Sequence, residues 1–453
     1  MSAMGKYWNG SLIFQSVLIF RQERKGRRVI WLLFMLAACF LFTSSFAGDP
    51  LDRKLSNRSL VDRFYQKRGG AAFWFSTGPV AQALRGQLVS LIDSCEQLGL
   101  DKYRYAFEPL KAHLRDNGLD PEVKIVYDRL YTDVAISFLK DIQCGAGMET
   151  MLSYDEFSLK YKQRDEAHLL EILDTITSGT SLQQAVDKLL PATEDYRILS
   201  AALKQAAGSG DLERSAKIKV ALNCYRWISH FRLKNYAIVN VPSATLRYVQ
   251  DDTTLLDMKI VAGAPATPTP RFAAHCDEVI LYPYWNVPSS IAVKEILPAL
   301  KRASGLLAFL NMQVIDKRGN IVDPATVNWS AYNKHNFPYR FRQSTGCDNA
   351  LGVIKFNLTS PFSVYLHDTN MKPAFAADKR YFSHGCIRIE KPVELANYLL
   401  TDKLDDTFLA ACLKDQRPVR IALKEPLPVF VVYVTVSVEA GQVVFYDDIY
   451  QLR

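Results

Sequence analysis

Little in this 453-residue chain suits it to hold a nucleic acid or a metal ion. Beyond the first 28 residues no run of Lys and Arg interleaves with aromatics, and no nucleic-acid motif is present. The formal net charge of +8 is therefore no argument for a polynucleotide partner, since part of it lies in Arg21, Arg24, Lys25, Arg27 and Arg28. The eight cysteines (Cys39, Cys95, Cys144, Cys224, Cys276, Cys347, Cys386 and Cys412) are scattered without metal-ligand spacing. His275-Cys276 and His384-x-Cys386 offer donors, but a catalytic metal needs three that converge. The apolar stretch Val29 to Phe42 is shorter than the ~20 residues of a spanning helix.

That stretch follows the basic run and precedes Ser45-Phe46-Ala47, a small-x-small site, which is the layout of a secretory signal peptide. Leu36-Ala37-Ala38-Cys39 also resembles a lipoprotein acylation box, although the apolar run continues past Cys39. Cleavage, acylation and uncleaved anchoring at the inner membrane are the three alternatives, and each exports the remainder to the periplasm. Cleavage after Ala47 removes Cys39 and leaves an odd number of cysteines, so at least one lacks an internal partner. Cys386 is the choice for it, the others reading as buried small apolar residues, with a disulfide open in an oxidising compartment.

The length suits two or three domains, and 49% hydrophobic residues is ordinary for a globular chain. Residues 49–147 have helical periodicity. Val80, Leu84, Leu88, Leu91, Cys95 and Leu98 recur at threes and fours, and Gly99 stands as a cap. Phe73-Trp74-Phe75 reads either as a glycan-stacking surface or as core beneath a helix. Residues 148–233 remain helical, with a short helix from Ser181 stopped by Pro191 and another beginning at Asp211. After Lys234 the period changes to strands: 236–241, 245–250, 254–262, 279–282, 353–357, 363–367, 419–422, 429–438 and 442–445, with one helix from Pro392. The mixed, aromatic-rich segment 289–340 reads as a lid, lined by Trp285, Trp329 and Tyr332.

The chemistry concentrates in Tyr365-Leu366-His367-Asp368-Thr369 and Phe382-Ser383-His384-Gly385-Cys386-Ile387-Arg388. A free thiol ionises near pH ~8.5 and needs a base to become a nucleophile at neutral pH. Cys386 is the candidate nucleophile and His367, closing a strand, the candidate base. His384 competes for that role, because residues at i and i+2 of a strand share a face. Gly385 lets backbone approach a substrate, and amides around residues 384–386 are candidates to hold an oxyanion. Asp368 alternates to the opposite face from His367, so its carbonyl is at least as good an acceptor for the ring as its carboxylate. Ser383 is positioned to hydrogen-bond inside the turn. Arg388 suits a carboxylate clamp, with an ion pair to Glu390 as the plain alternative.

A histidine, fifteen residues, then Ser-His-Gly-Cys resembles the murein L,D-transpeptidases. The resemblance extends to Tyr284-Trp285-Asn286-Val287-Pro288, Arg342-Gln343, Asn349-Ala350-Leu351-Gly352, Lys355-Phe356 and Leu366-His367-Asp368-Thr369, from about Asn223 onward. It points to the larger periplasmic type, for which Arg388 in place of the commoner asparagine is typical. The implied fold class is α+β multidomain: an all-α scaffold (49–147), a helical connection (148–233), and a mostly β, sandwich-like catalytic domain (234–453) carrying the lid. The aspartate–glycine turns of the peptidoglycan-binding module found in many relatives are not seen here.

The implied reaction is acyl transfer without a cofactor. Cys386, assisted by His367 with Asp368, Ser383, His384 and Gly385 in support, forms a thioester with a tetrapeptide stem. D-alanine leaves and an amine of a neighbouring stem accepts the acyl group. Arg388, Trp285, Tyr365 and Asn349 are the expected substrate contacts. Peptidoglycan stem peptides are the expected partners, the inner membrane a further one through the N-terminal segment. Two alternatives remain: transfer to water, giving an L,D-carboxypeptidase or endopeptidase, and a wall-binding scaffold without turnover.

Overall fold

The computed structural model describes residues 55–452 except 117, 178–180, 304, 406 and 408–415. The N-terminal segment read as an export signal, and two of the cysteines, Cys39 and Cys412, lie outside the described residues.

Seven longer helices lead the described chain: α1 (Arg58–Lys67), α2 (Pro79–Asp93), α3 (Pro121–Cys144), α4 (Ser158–Thr177), α5 (Leu182–Leu189), α6 (Glu194–Gly208) and α7 (Leu212–Ser229). Their ends follow the local chemistry. Pro opens α2 and α3, where its missing N–H costs nothing. Ser181 and Gln184 close a reciprocal capping box at α5, and Asp211 caps α7 through the Arg214 amide. Gly99 takes the left-handed conformation after a short 3-10 turn, as the sequence suggests. Phe73, Trp74 and Phe75 are core residues rather than a glycan platform. All three are buried, and the Phe73 and Phe75 amides donate to the Asp128 carboxylate beneath them.

The catalytic half is built on β1 (Asn235–Asn240), β2 (Thr245–Gln250), β3 (Thr253–Gly263), β4 (Phe272–Leu281), then an insertion with β5 (Trp285–Asn286), β6 (Met312–Ile315), β7 (Ile321–Val322) and β8 (Arg340–Gln343). β9 (Ile354–Leu358), β10 (Leu366–His367), β11 (Tyr381–Ser383), β12 (Ile387–Ile389), helix α8 (Pro392–Leu399), β13 (Val419–Val432), β14 (Val436–Glu439) and β15 (Gln442–Phe445) follow. Hydrogen bonding runs β4–β9–β10–β12–β3–β2–β1–β13, and β13 also pairs with β4. The sheet therefore closes on itself. The reason is β13: sequence patterning gives separate strands at 419–422 and 429–438, but one 14-residue strand runs through both, bulged between Ala422 and Leu427. It is long enough to reach β4 along both halves and β1 at its end.

Alternation along the strands fills the ring with Ala237, Leu246, Ile260, Phe272, Phe356, Leu366, Ile387 and Val431. The outer face of β4 and β13, with Ala273, Phe430 and Val432, packs on α6 and α7 through Leu199, Leu222, Trp227 and Phe231. Helical and catalytic parts thus share one apolar core. The 285–343 insertion has its own core, including Val287, Ile291, Leu307, Val314 and Phe341, and its own sheet β5–β8–β6–β7.

Candidate active site

β10 is only two residues long, yet it lies between β9 and β12. His367 opposes Lys355 on β9 and Arg388 on β12, while Leu366 opposes Ile387. Leu366 and Ile387 point into the ring, so His367, Lys355 and Arg388 emerge on its outer face. Two positions before His367 and Arg388 lie Tyr365 and Cys386, coupled by the Ile387 amide on the Tyr365 carbonyl at 3.1 Å. Register alone thus brings residue 367 and residue 386, which immediately precedes β12 and is separated from 367 by eighteen residues, to one face of neighbouring chain segments.

The His367 ring is buried and its Nδ1 lies 2.5 Å from the Asp368 carbonyl oxygen. With Nδ1–H donating there, Nε2 carries the lone pair. Burial, aided by the charges of Arg388 and Lys355, holds the ring's pKa down to about 3. Cys386 is half-buried, its Sγ 3.8 Å from the Ser363 carbonyl. Burial pushes its thiol up, opposed by hydrogen bonds from Tyr365 and by the charges of Lys355 and Arg388. At neutral pH the resting pair is an uncharged imidazole and an uncharged thiol. Tyr365 stacks edge-on to His367 with centroids 5.6 Å apart, and Lys355 Nζ sits 4.1 Å above the Tyr365 ring. Burial lowers the pKa of both Lys355 and Arg388. Lys355 is the member of this cluster that sequence reading leaves unassigned; its place becomes visible only through the β9–β10 pairing.

The surrounding residues brace these two strands. Asp368 turns its carboxylate away from the His367 ring, accepting from the Val353 amide at 3.0 Å and pairing with Lys372. Gly352, at φ +59°, makes room for it: a Cβ there would lie 2.2 Å from Asp368 Oδ2. Asn349, expected to touch substrate, is instead buried and fully engaged. Its Nδ2 donates to the Pro283 and Ser344 carbonyls (2.9 and 2.8 Å) and its Oδ1 accepts from the Leu351 amide. An amide spent on backbone groups inside the 344–353 turn has none left for a ligand.

Ser383 organises the nucleophile turn. Its hydroxyl donates to the Cys386 carbonyl at 2.6 Å and accepts from the Gly385 amide at 3.1 Å. The Gly385 N–H is thereby removed from the group of amides expected to hold an oxyanion. The proline-rich 264–270 loop braces the same turn, with the Thr269 hydroxyl donating to the Gly385 carbonyl at 2.9 Å and the Thr267 hydroxyl to the Ser383 carbonyl at 3.0 Å.

The contact found for the His384 ring is on the insertion: its Nε2 lies 2.7 Å from Glu295 Oε1. Trp285 pairs with Gln343 at the root of the insertion and packs on its core. Trp329, with Nε1 on the Pro324 carbonyl, joins the same core, and Tyr332 clusters with Phe337 and Tyr339. These three aromatics, all half-buried, belong to the insertion itself. Glu390 accepts from the Lys259 amide at 3.1 Å, and the contact found for Arg388 is Met371 Sδ at 3.8 Å. Cys347 is disulfide-bonded, against the expectation of a buried apolar thiol, while Cys95, Cys144, Cys224, Cys276 and Cys386 remain thiols.

Comparison with known proteins places this geometry in context. The L,D-transpeptidase catalytic domain model matches residues 234–421 and a scaffold domain model matches residues 59–203. A Haemophilus influenzae protein (strain Rd), provisionally named an L,D-transpeptidase, is 29% identical over 404 residues, covering 88% of this chain and 79% of its own. Among solved structures, the Ldtfm–avibactam carbamoyl enzyme aligns at TM-score 0.22 and 15% identity, over 44% of this chain and 49% of that one. An L,D-transpeptidase from Mycobacterium smegmatis aligns at TM-score 0.20 and 14% identity, over 44% and 58%. The chain spans about half the length of these solved chains, and the low scores add nothing to the argument. The chain thus carries, in this order, a match to a scaffold domain and a match to an L,D-transpeptidase catalytic domain, and it is similar over most of its length to a relative provisionally named an L,D-transpeptidase.

Proposed function

We propose that this protein cross-links peptidoglycan by cysteine-dependent acyl transfer. The observation that carries the reading is the shared face of β10 and β12, with His367 Nε2 left as the acceptor and Cys386 immediately before the neighbouring strand. In the first half-reaction the Cys386 proton passes to His367 Nε2 as the sulfur attacks the carbonyl between the third stem residue and its terminal D-alanine. The C–N bond breaks, the proton goes to the departing amine, and a thioester remains. In the second, an amine of a neighbouring stem attacks the thioester, gives its proton through His367 to the sulfur, and restores the thiol. Because both partners rest uncharged, the proton moves during attack rather than before it. The buried cations Lys355 and Arg388 favour the thiolate and the oxyanion and suit the carboxylate of the leaving D-alanine. With the Gly385 amide engaged by Ser383, the Cys386 amide and Tyr365 are the donors nearest the developing oxyanion. The basic and apolar N-terminal segment supports action on the periplasmic side of the inner membrane.

The test is incubation of the purified full-length protein with disaccharide-tetrapeptides, followed by mass analysis. Cross-linked dimers that have lost one D-alanine are expected, together with a carbapenem adduct on the protein, and both vanish in Cys386→Ala. Trimmed monomers alone would make the enzyme a hydrolase, and unchanged stems with no adduct would leave a wall-binding scaffold.

A further inference from the structure

Far from the catalytic cysteine in sequence, three helices end or pass at one point. Cys144 is the last residue of α3, Asp165 lies on α4, and His230 follows the end of α7. One donor atom from each falls within 4.8 Å of the others. Two features orient these donors outward from their own elements. The His230 Nδ1–H donates to the Trp227 carbonyl, which leaves the Nε2 lone pair aimed at Asp165 Oδ2, 3.5 Å away. The other Asp165 oxygen, Oδ1, is already held by Arg164 Nη2 at 2.9 Å and by Gln143 Nε2 at 3.2 Å, and Gln143 is itself held by His168 at 3.0 Å. An imidazole lone pair thus faces a carboxylate oxygen across a gap, with a cysteine sulfur as third corner. Two acceptors so placed suit a cation between them.

We propose that Cys144, Asp165 and His230 form a binding site for a divalent cation of the zinc class, clamping α3, α4 and α7 together where the helical region meets the catalytic sheet. The donor set of one nitrogen, one sulfur and one oxygen suits zinc, and ligands ~2.0–2.3 Å from a tetrahedral ion stand about 3.3–3.8 Å apart, close to the 3.5 Å seen between Asp165 and His230. A histidine fixed by a carbonyl on its other nitrogen, and a carboxylate fixed by donors on its other oxygen, are the outer supports that such ligands use. Asp165 and His230 also line a cavity of about 730 Å³, which gives an ion a route in and leaves room for a water as fourth ligand. On binding, the Cys144 thiol gives its proton to solvent and a sulfur–metal bond forms.

The test uses the full chain carrying Cys386→Ser, stripped of metal and titrated with zinc by calorimetry and with cobalt by absorption. One equivalent of zinc and a thiolate-to-cobalt charge-transfer band are expected, and Cys144→Ser should abolish the band and weaken zinc. Should that variant fail to fold by circular dichroism, Gln143→Leu decides, with zinc expected to bind about 10–100-fold more weakly through loss of the support to Asp165. Absence of stoichiometric binding, a cobalt band that survives Cys144→Ser, or unchanged zinc affinity in Gln143→Leu would each overturn the site.

Discussion

His367 is held neutral by burial far below the pH at which a free imidazole charges, and this links the proposed base to stability. Between pH 6.5 and about 3 the unfolded chain binds a proton at this ring that the folded protein refuses. The unfolded state then carries more protons, so stability falls as pH drops through that window and is indifferent to this group above it. Urea unfolding of His367→Gln should lose part of the acid-side slope seen in the wild type. Lys355 acts in the other direction: Lys355→Met should raise the Cys386 thiol further, read as a shift to higher pH in the profile of its alkylation, because the positive charge supports the ionised form. Ser383→Ala removes a hydroxyl that serves two backbone groups of the nucleophile turn. It should cost about 1–3 kcal/mol in unfolding free energy, since the buried Gly385 amide loses its acceptor.

The cysteine, the histidine and the serine were legible in the sequence as residue types in a suggestive order. Their meeting was not, because period-two alternation relates neighbours on one strand and says nothing of which strands pair. His384 and Cys386 satisfied that local rule, yet the ring at 384 turned to Glu295 on the insertion. Lys355 goes unassigned for the same reason, and Asn349 reads as a substrate contact because side-chain bonds to backbone groups, one of them 66 residues away, leave no pattern in the sequence.

Among the elements, the nucleophile turn depends most on its glycine. Gly385 sits at φ +110°, where a side chain is strained, although the nearest atoms a Cβ would meet, the Thr267 and Pro268 carbonyl oxygens, lie at an acceptable 3.8 Å. Gly385→Ala should therefore cost about 1–3 kcal/mol of strain, or shift the turn and lower acylation, with carbapenem adduct formation as the measure. The insertion touches this turn through Glu295 and His384, both about half exposed. Glu295→Gln should leave unfolding free energy within about 1 kcal/mol of wild type, as exposed pairs contribute little. Any effect should instead appear as a changed ratio of cross-linked to hydrolysed product, because this contact ties the insertion to the turn that carries Cys386. Strand boundaries such as Thr245–Gln250 and Gln442–Phe445 were readable from alternation and turn residues. The single β13 was not, since its exposed middle interrupts the pattern that marks its ends.

For the molecule as a whole, the decisive contact is the apolar seam between α7 and the outer face of β13. Phe430 meets Phe231 in a stack at 5.8 Å and Trp227 edge-on at 5.2 Å. Phe430→Ala should cost about 3–5 kcal/mol. Circular dichroism in the helical band and tryptophan fluorescence should shift to lower urea together, because the lost contact belongs to both parts. A catalytic fragment beginning near residue 234 would expose Ala273, Phe430 and Val432, so activity is best measured on the full chain.

β13 is the strand that meets both β1 and β4, and it is also nearly the last to be made. Synthesis proceeds from the N-terminus, so the helices and the first strands exist before the piece that completes their ladder. Until residue 432 has emerged, β1 and β4 keep unpaired edges and the strands bearing His367 and Cys386 lack a finished support. A chain assembled in this order has no finished support for that pair until its C-terminal strand is in place.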